Sequence, residues 1–259
     1  MCVINADRAP VTLAGEHGQV LDAMHRAHMA RGHMTRAILS VAARHWPNHW
    51  RTFSPIPFRL ATWVGYDMDG RTDIGWSTSI RHRLIEKAER LGSYASALHP
   101  VTTAEGIAQT LQRAEEHSRA MAALFVTAAD SADKLSAAAN ALTADHPDRL
   151  VSLVDIIKQI DNLAGKATAD DALTLLSVSA AMRADGLGMG DIHFRVNSAQ
   201  LLNAIRRRID PDNQLDLASG TALKRLRDLI DNAQPLRSNF AALAIESTTA
   251  VRQFLAMAQ

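Results

Sequence analysis

Two segments of this chain, residues 58–64 and 191–196, have the pattern of buried β-strands, whereas most of the remainder has a helical pattern. The first segment ends at Gly65, and the second follows the glycine-rich residues 186–190. An isolated strand would leave its backbone N–H and C=O groups unpaired, so we expect the two segments to pair with each other in one sheet or barrel wall. The sequence therefore predicts a mainly α fold with a few β-strands.

Composition narrows the class of protein further. The chain has 259 residues, of which only 5% are aromatic, and alanine is abundant, which favours closely packed helices. The net charge of +1 gives no indication of nucleic acid or an anionic membrane as partner. The single cysteine, Cys2, excludes an internal disulfide, and residues 1–15 lack the apolar core of a signal peptide. We therefore predict a cytoplasmic protein without a membrane span, and homo-oligomer formation stays open.

The longest periodic pattern begins near Thr102, whose spacing to Glu105 matches a capping box. Apolar and small residues then recur in steps of four and three, a spacing that keeps one helix face towards a partner. The positions are Ile107, Leu111, Ala114, Ser118, Met121, Phe125, Ala128, Ala132, Leu135, Ala139 and Leu142. The pattern predicts one near-continuous helix over residues 103–144, packed antiparallel against residues 148–164. This helical hairpin would form an arm over residues 103–164.

An acidic loop follows the first predicted strand, with Asp67, Asp69 and Gly70 in the order Asp-x-Asp-Gly. An EF-hand is excluded, because the first and last ligand positions would then be Gly65 and Trp76, neither of which offers a side-chain carboxylate.

The same loop also resembles the first motif of haloacid-dehalogenase-type phosphatases, an apolar strand followed by Asp-x-Asp-Gly-Thr. That resemblance implies Asp67 as the nucleophile and Asp69 as the acid/base. Arg71 stands where threonine is usual, and residues 75–185 show no convincing strand for the βα units of that fold. The phosphatase stays open as an alternative.

A second family is similar to both strand-like segments. Residues 58–70, FRLATWVGYDMDG, resemble the strand and loop of phosphoenolpyruvate carboxylases, Val-Arg-Phe-Thr-Ser followed by Trp-Met-Gly-Gly-Asp-Arg-Asp-Gly-Asn-Pro. Residues 186–198, GLGMGDIHFRVNS, resemble a later strand of that family, Phe-Gly-Leu-x-Leu-x-x-Ile-Asp-Ile-Arg-Gln-x-Ser. The order of the two segments and the helical stretch between them also agree. Met68 differs from the family's arginine, and His193 and Val196 differ from its aspartate and glutamine.

The resemblance implies a fold, a reaction and site residues. The implied fold is a portion of an α/β barrel of the TIM type, rich in helices. Residues 1–259 would form a single region, with the strand and acidic loop at 55–74 and the second strand and its helix at 186–209. The implied reaction carboxylates phosphoenolpyruvate with bicarbonate and Mg²⁺, giving oxaloacetate and phosphate.

On this resemblance Arg195 is the catalytic residue that binds anionic reactants, and Asp67, Asp69 and Gly70 belong to the substrate-binding loop. An arginine at a strand end suits a carboxylate or phosphate because its guanidinium is a forked, permanently charged donor. The family's Thr-Ala-His-Pro-Thr motif is missing, the sequence offers no ligand set for Mg²⁺, and we identify His193 as the only histidine beside the site. The chain is therefore interpreted as an internal or truncated portion of a longer enzyme. A non-catalytic helical interaction module is the remaining alternative.

Overall fold

The computed structural model describes residues 11–67, 74–128, 130–193, 195, 197–233 and 251, and these are mainly helical, as predicted. The helices are α1 (Leu13–His45), α2 (Trp76–Leu98), α3 (Glu105–Leu124), α4 (Ala132–Thr143), α5 (Val154–Lys166), α6 (Ala169–Asp185), α7 (Ser198–Ile209) and α8 (Gly220–Asp231). The strands are β1 (Ala61–Thr62) and β2 (Asp191–Ile192), and short 3₁₀ turns cover Trp50–Thr52 and Thr102–Ala104. No helix in the described part of the chain is both long and apolar enough to cross a membrane.

The helix ends follow local side-chain chemistry. The Thr12 hydroxyl accepts a hydrogen bond from the Gly15 amide at the start of α1, and that helix ends before Pro47, where the sequence predicts its end because proline interrupts a helix. Thr168, which the sequence also predicts as a cap, caps α6 through the amide of Asp171. The sequence further predicts a helix near residues 238–256, which lies outside the described residues except for residue 251.

A single helix over residues 103–144 is a wrong prediction. α3 ends at Leu124, and α4 begins at Ala132 after a turn whose last residue, Ser131, caps α4 by accepting a hydrogen bond from the Lys134 amide. The predicted capping box at Thr102 is also wrong, because Thr102 lies in a 3₁₀ turn and makes no side-chain cap. Before the break the four-three spacing marked buried positions well, but in α4 only Leu135 of the predicted positions is buried, whereas Ala132 is exposed and Ala139 and Leu142 are partly buried. The spacing also carried no information about the backbone at the break.

The predicted antiparallel hairpin with residues 148–164 is not observed either. α3 packs most extensively on α2, where Arg119 pairs with Glu89 and Glu115 lies against Gly92, and α5 packs mainly on α6. The largest hydrophobic core joins α1, α2, α3, α5 and α6, and a smaller one lies between α2, α3 and α4. Phe125 and Leu135, from either side of the break, both belong to the smaller core.

The two strands are much shorter than the predicted segments, but they do pair. β1 and β2 are parallel, with Ala61 opposite Asp191 and Thr62 opposite Ile192. The Asp191 amide donates to the Leu60 carbonyl at 2.8 Å, and the His193 amide donates to the Thr62 carbonyl at 2.7 Å. These two strands are the whole sheet within the described residues, so the barrel stays a prediction.

Candidate functional site

The parallel pairing brings the carboxyl ends of β1 and β2 to the same edge, and the chain after each strand carries a charged side chain there. Arg195 Nη1 lies 3.5 Å from Asp67 Oδ2. The Asp67 side chain is 16% exposed and the Arg195 side chain 63% exposed, so one end of this ion pair is anchored while the guanidinium faces solvent. The expected proximity of Asp67 and Arg195 is therefore observed, whereas Asp69 and Gly70 lie outside the described residues.

A tight turn at Gly65 orients the chain between β1 and Asp67. Gly65 has φ +88°, a conformation that other residues adopt at a cost, and the Ser79 hydroxyl donates to its carbonyl at 2.7 Å. A side chain at Gly65 would also collide with the ring of His82 on α2. His193 is thus not the only histidine beside the strand ends, contrary to the expectation from sequence. The sequence gives no local sign of His82, because α2 brings it there from a different part of the chain.

Three buried side chains form a polar layer beneath this turn. His17 Nε2 lies 3.2 Å from Glu86 Oε1, and the His17 ring stacks on that of His82 with centroids 3.8 Å apart. Burial, with smaller contributions from His17 and Arg81, lowers the pKa of His82 to about 3. His82 is therefore neutral at physiological pH. The layer supports the Gly65 turn through the stacking of the two histidine rings, and a charge on His82 plays no part.

A second buried layer surrounds Asp185, the last residue of α6. Arg31 of α1 binds both carboxylate oxygens, Arg90 of α2 donates to Oδ2 at 2.6 Å, and His28 Nε2 lies 3.5 Å away. All four side chains are at most 6% exposed. Burial is the main cause that lowers the pKa of His28 to about 4, so two permanent cations share one carboxylate. The carboxylate is disfavoured by the helix dipole at this position, which the two arginines offset.

The Asp185 layer also positions the residues that precede β2. The Tyr94 hydroxyl donates to the Gly186 carbonyl at 3.0 Å, while its ring lies 4.4 Å from the Arg90 guanidinium carbon. Arg59, two residues before β1, donates to the Ala184 carbonyl at 2.9 Å. The segments that lead into β1 and β2 are thus both tied to the carboxyl end of α6.

We predict that the chain loses stability in acid because His28 and His82 are buried in the neutral form. Above pH 6.5 the imidazoles are neutral in both the folded and the unfolded state. Below pH 6.5 the unfolded state binds protons at these histidines, whereas the folded state does not. The free energy of unfolding therefore falls by up to about 1.4 kcal/mol per pH unit for each histidine, until the pH reaches the pKa of that histidine in the folded state. Urea unfolding between pH 7 and about pH 4.5 measures this slope.

The matched comparison is His82→Gln with His33→Gln, since His33 is exposed. His82→Gln should flatten the acid slope, and His33→Gln should leave it unchanged. An unchanged slope in His82→Gln would show that another group controls the acid transition.

A pocket of about 340 Å³ opens beside the strand ends, bordered by Tyr66 and Ile192. Its lining includes four basic side chains that sequence analysis did not identify, Arg83, Lys87, His117 and Arg149. One signal was present: Arg83 and Lys87 are four residues apart and so share a face of α2. Arg149 and His117 come from other parts of the chain, and their convergence depends on the tertiary fold.

Comparison of the chain with protein-family models, with curated proteins and with solved structures finds no match. The similarity to phosphoenolpyruvate carboxylase thus rests on the two motif-bearing segments and on the arrangement of the residues within them. The described residues contain no group of three or more His, Cys, Asp or Glu side chains placed to hold a metal ion.

Proposed function

We propose that this chain is a phosphoenolpyruvate carboxylase-like region that binds anionic reactants at the carboxyl ends of β1 and β2. The observation that supports this proposal is the parallel pairing of the two family-like segments, with Arg195 Nη1 3.5 Å from Asp67 Oδ2. Ligands of α/β proteins commonly bind at this end of parallel strands. We further propose that β1 and β2 belong to a barrel wall, and that the protein is cytoplasmic.

In this proposal Arg195 holds bicarbonate or the carboxyphosphate formed from it. Its guanidinium has five N–H donors, and Asp67 engages one side of it, so other donors face solvent and can bind a carboxylate-like oxyanion. Asp67 acts as a positioning residue that restricts the orientation of the long arginine side chain. The Gly65 turn and its bond from Ser79 keep Asp67 in register with β1.

The described residues do not fit the Mg²⁺ that the resemblance implies, since no set of carboxylates or histidines converges near the strand ends. We therefore assign no Mg²⁺ ligand to this chain and no step through the metal. The phosphatase alternative needs a sheet of several strands after the acidic loop, and the described residues within 75–185 supply none.

Binding of bicarbonate tests the role of Arg195. We expect the purified chain to bind bicarbonate in calorimetry, and Arg195→Ala to weaken that binding at least about tenfold, since hydrogen bonds between charged groups contribute about 1.5–3 kcal/mol. Arg207→Ala is the matched control, because Arg207 is exposed on the nearby α7. Equal affinity of wild type and Arg195→Ala for bicarbonate would refute the assignment and favour a non-catalytic helical module.

Turnover is a separate prediction. With phosphoenolpyruvate, bicarbonate and magnesium, the 259-residue chain alone should form oxaloacetate at no useful rate. The reaction requires an organised metal and a base, and removing groups that act as a unit abolishes most of the rate enhancement. The assay follows oxaloacetate directly. Robust turnover that disappears in Arg195→Ala would contradict this expectation and make His193 the first candidate for the base.

A further inference from the structure

The pocket beside the strand ends has an apolar wall and a cationic rim. Side chains of α2, α3, α4 and the segment before α5 form the wall, which includes Ile80, Leu84, Met121, Leu142 and Val151. Its volume of about 340 Å³ lies within the range of small-molecule sites. The wall suits the carbon skeleton of a small organic molecule.

The charges that the described residues contribute to the lining are all of one sign. Arg83, Lys87 and Arg149 line the pocket, and none of the described lining residues is acidic. Neither Lys87 nor Arg149 forms a side-chain ion pair with a described residue, and the carboxylate near Arg83, Glu86 Oε2, is 3.6 Å from its Nη1. Glu86 is shared with His17. Among the described residues the rim therefore carries three cations against one carboxylate that it shares with His17, which leaves an excess of positive charge.

Two polar atoms at the pocket also lack hydrogen-bond partners. Arg83 Nη1 and His117 Nε2 are buried atoms that make no hydrogen bond. Buried polar groups are normally satisfied, so unsatisfied ones clustered on one cavity indicate a missing partner. The pKa of Lys87 is lowered to about 8, first by burial and then by Arg149 and Arg83, as expected for an amine held among cations without a counter-ion.

We propose that this pocket binds a small organic dianion, a phosphate monoester or a dicarboxylate, through Arg83, Lys87 and Arg149. Three cations, of which only Arg83 has a carboxylate of a described residue nearby, match a ligand of about two negative charges, and the apolar wall contacts its carbon skeleton. This site is separate from Arg195, which is not among the residues that line the pocket. The inference does not depend on the carboxylase proposal.

Calorimetry with inorganic phosphate, phosphoenolpyruvate and succinate tests the site and distinguishes the phosphate from the dicarboxylate. We expect at least one organic dianion to bind, and Lys87→Met and Arg149→Gln each to weaken its binding about tenfold or more. Lys87→Arg should retain most of the affinity because it keeps the charge. Lys158→Met is the control, because the Lys158 side chain is 69% exposed on α5.

Proton uptake gives a second readout that a purely structural role of Lys87 would not produce. A bound dianion favours the charged amine, so near pH 8 binding should take up protons, and the measured heat should vary with the ionisation enthalpy of the buffer. Lys87→Met should abolish this dependence. Binding that persists in Arg195→Ala but is lost in Lys87→Met supports the pocket, whichever way the carboxylase test falls. The proposal is overturned if no probe binds at millimolar concentration, or if both pocket variants bind as well as wild type.

Discussion

Asp185→Ala is expected to destabilise the protein by about 3–5 kcal/mol, because it leaves two buried guanidinium groups without a counter-ion. Arg31 and Arg90 approach Asp185 from two other helices, and their side chains are 3% and 6% exposed. Guanidinium groups stay charged in proteins, so both positive charges would remain buried without a partner. The measurement is urea unfolding at pH 7, followed by the helical circular dichroism signal.

Two arginines share the single Asp185 carboxylate, so removing one arginine should cost less stability than removing the carboxylate. Arg90→Met leaves one arginine for one carboxylate, so its cost should be clearly smaller than that of Asp185→Ala. Asp170→Asn is the surface control: the Asp170 carboxylate also pairs with an arginine, Arg36, but its side chain is 83% exposed, and exposed pairs contribute at most about 1 kcal/mol. A larger loss in Arg90→Met than in Asp185→Ala would show that the two cations are not the source of the instability.

Gly190→Ala is expected to disrupt the strand pair and, with it, the candidate site. A Cβ at residue 190 would lie 2.5 Å from the Leu60 carbonyl oxygen, which already accepts the hydrogen bond from the Asp191 amide. Backbone cannot rotate away as a flexible side chain can, so β1 and β2 must separate, at a cost of about 1–3 kcal/mol. Arg195 should then lose its position beside Asp67, and binding of anionic reactants should weaken together with stability.

Gly32→Ala is the matched control within a helix. Nothing lies within 4 Å of a Cβ at Gly32, so alanine there should be neutral or stabilising by up to about 1 kcal/mol through its higher helix propensity. Urea unfolding and bicarbonate titration of both variants measure the contrast. Wild-type stability and binding in Gly190→Ala would mean that the strand contact is dispensable.

Local chemistry predicted the end of α1 and the start of α6, and the two strand-like segments pair as expected. Pro47 and Thr168 act on their immediate neighbours, so their effects on α1 and α6 follow from the sequence. The sequence did not reveal the break between α3 and α4. Phe125 and Leu135 are buried on either side of the break, as the four-three spacing of one continuous helix also expects. Periodicity specifies which residues are buried, and the backbone path between them depends on caps such as Ser131.

Only those residues of the candidate site that follow a strand-like segment directly could be predicted from the sequence. Asp67 and Arg195 each follow a strand-like segment, so pairing of the strands was enough to bring them together. Asp185 binds Arg31, which lies 154 residues away in the sequence, and no local pattern predicts such a contact. The same holds for Arg149 and Lys87, which meet only because α2 and the segment before α5 pack around one cavity.

The long sequence separation of the strand pair has a consequence for how the molecule assembles. Contacts between α2 and α3, and between α5 and α6, close short loops, so their entropic cost is small and they can form early. The contact between Arg31 and Asp185 closes a loop of 154 residues, and the pairing of β1 with β2 also requires distant parts of the chain to meet. We therefore expect the helical pairs to form first and the strand ends to be completed last. In this order of events a nascent chain would be largely helical before it has any site at all.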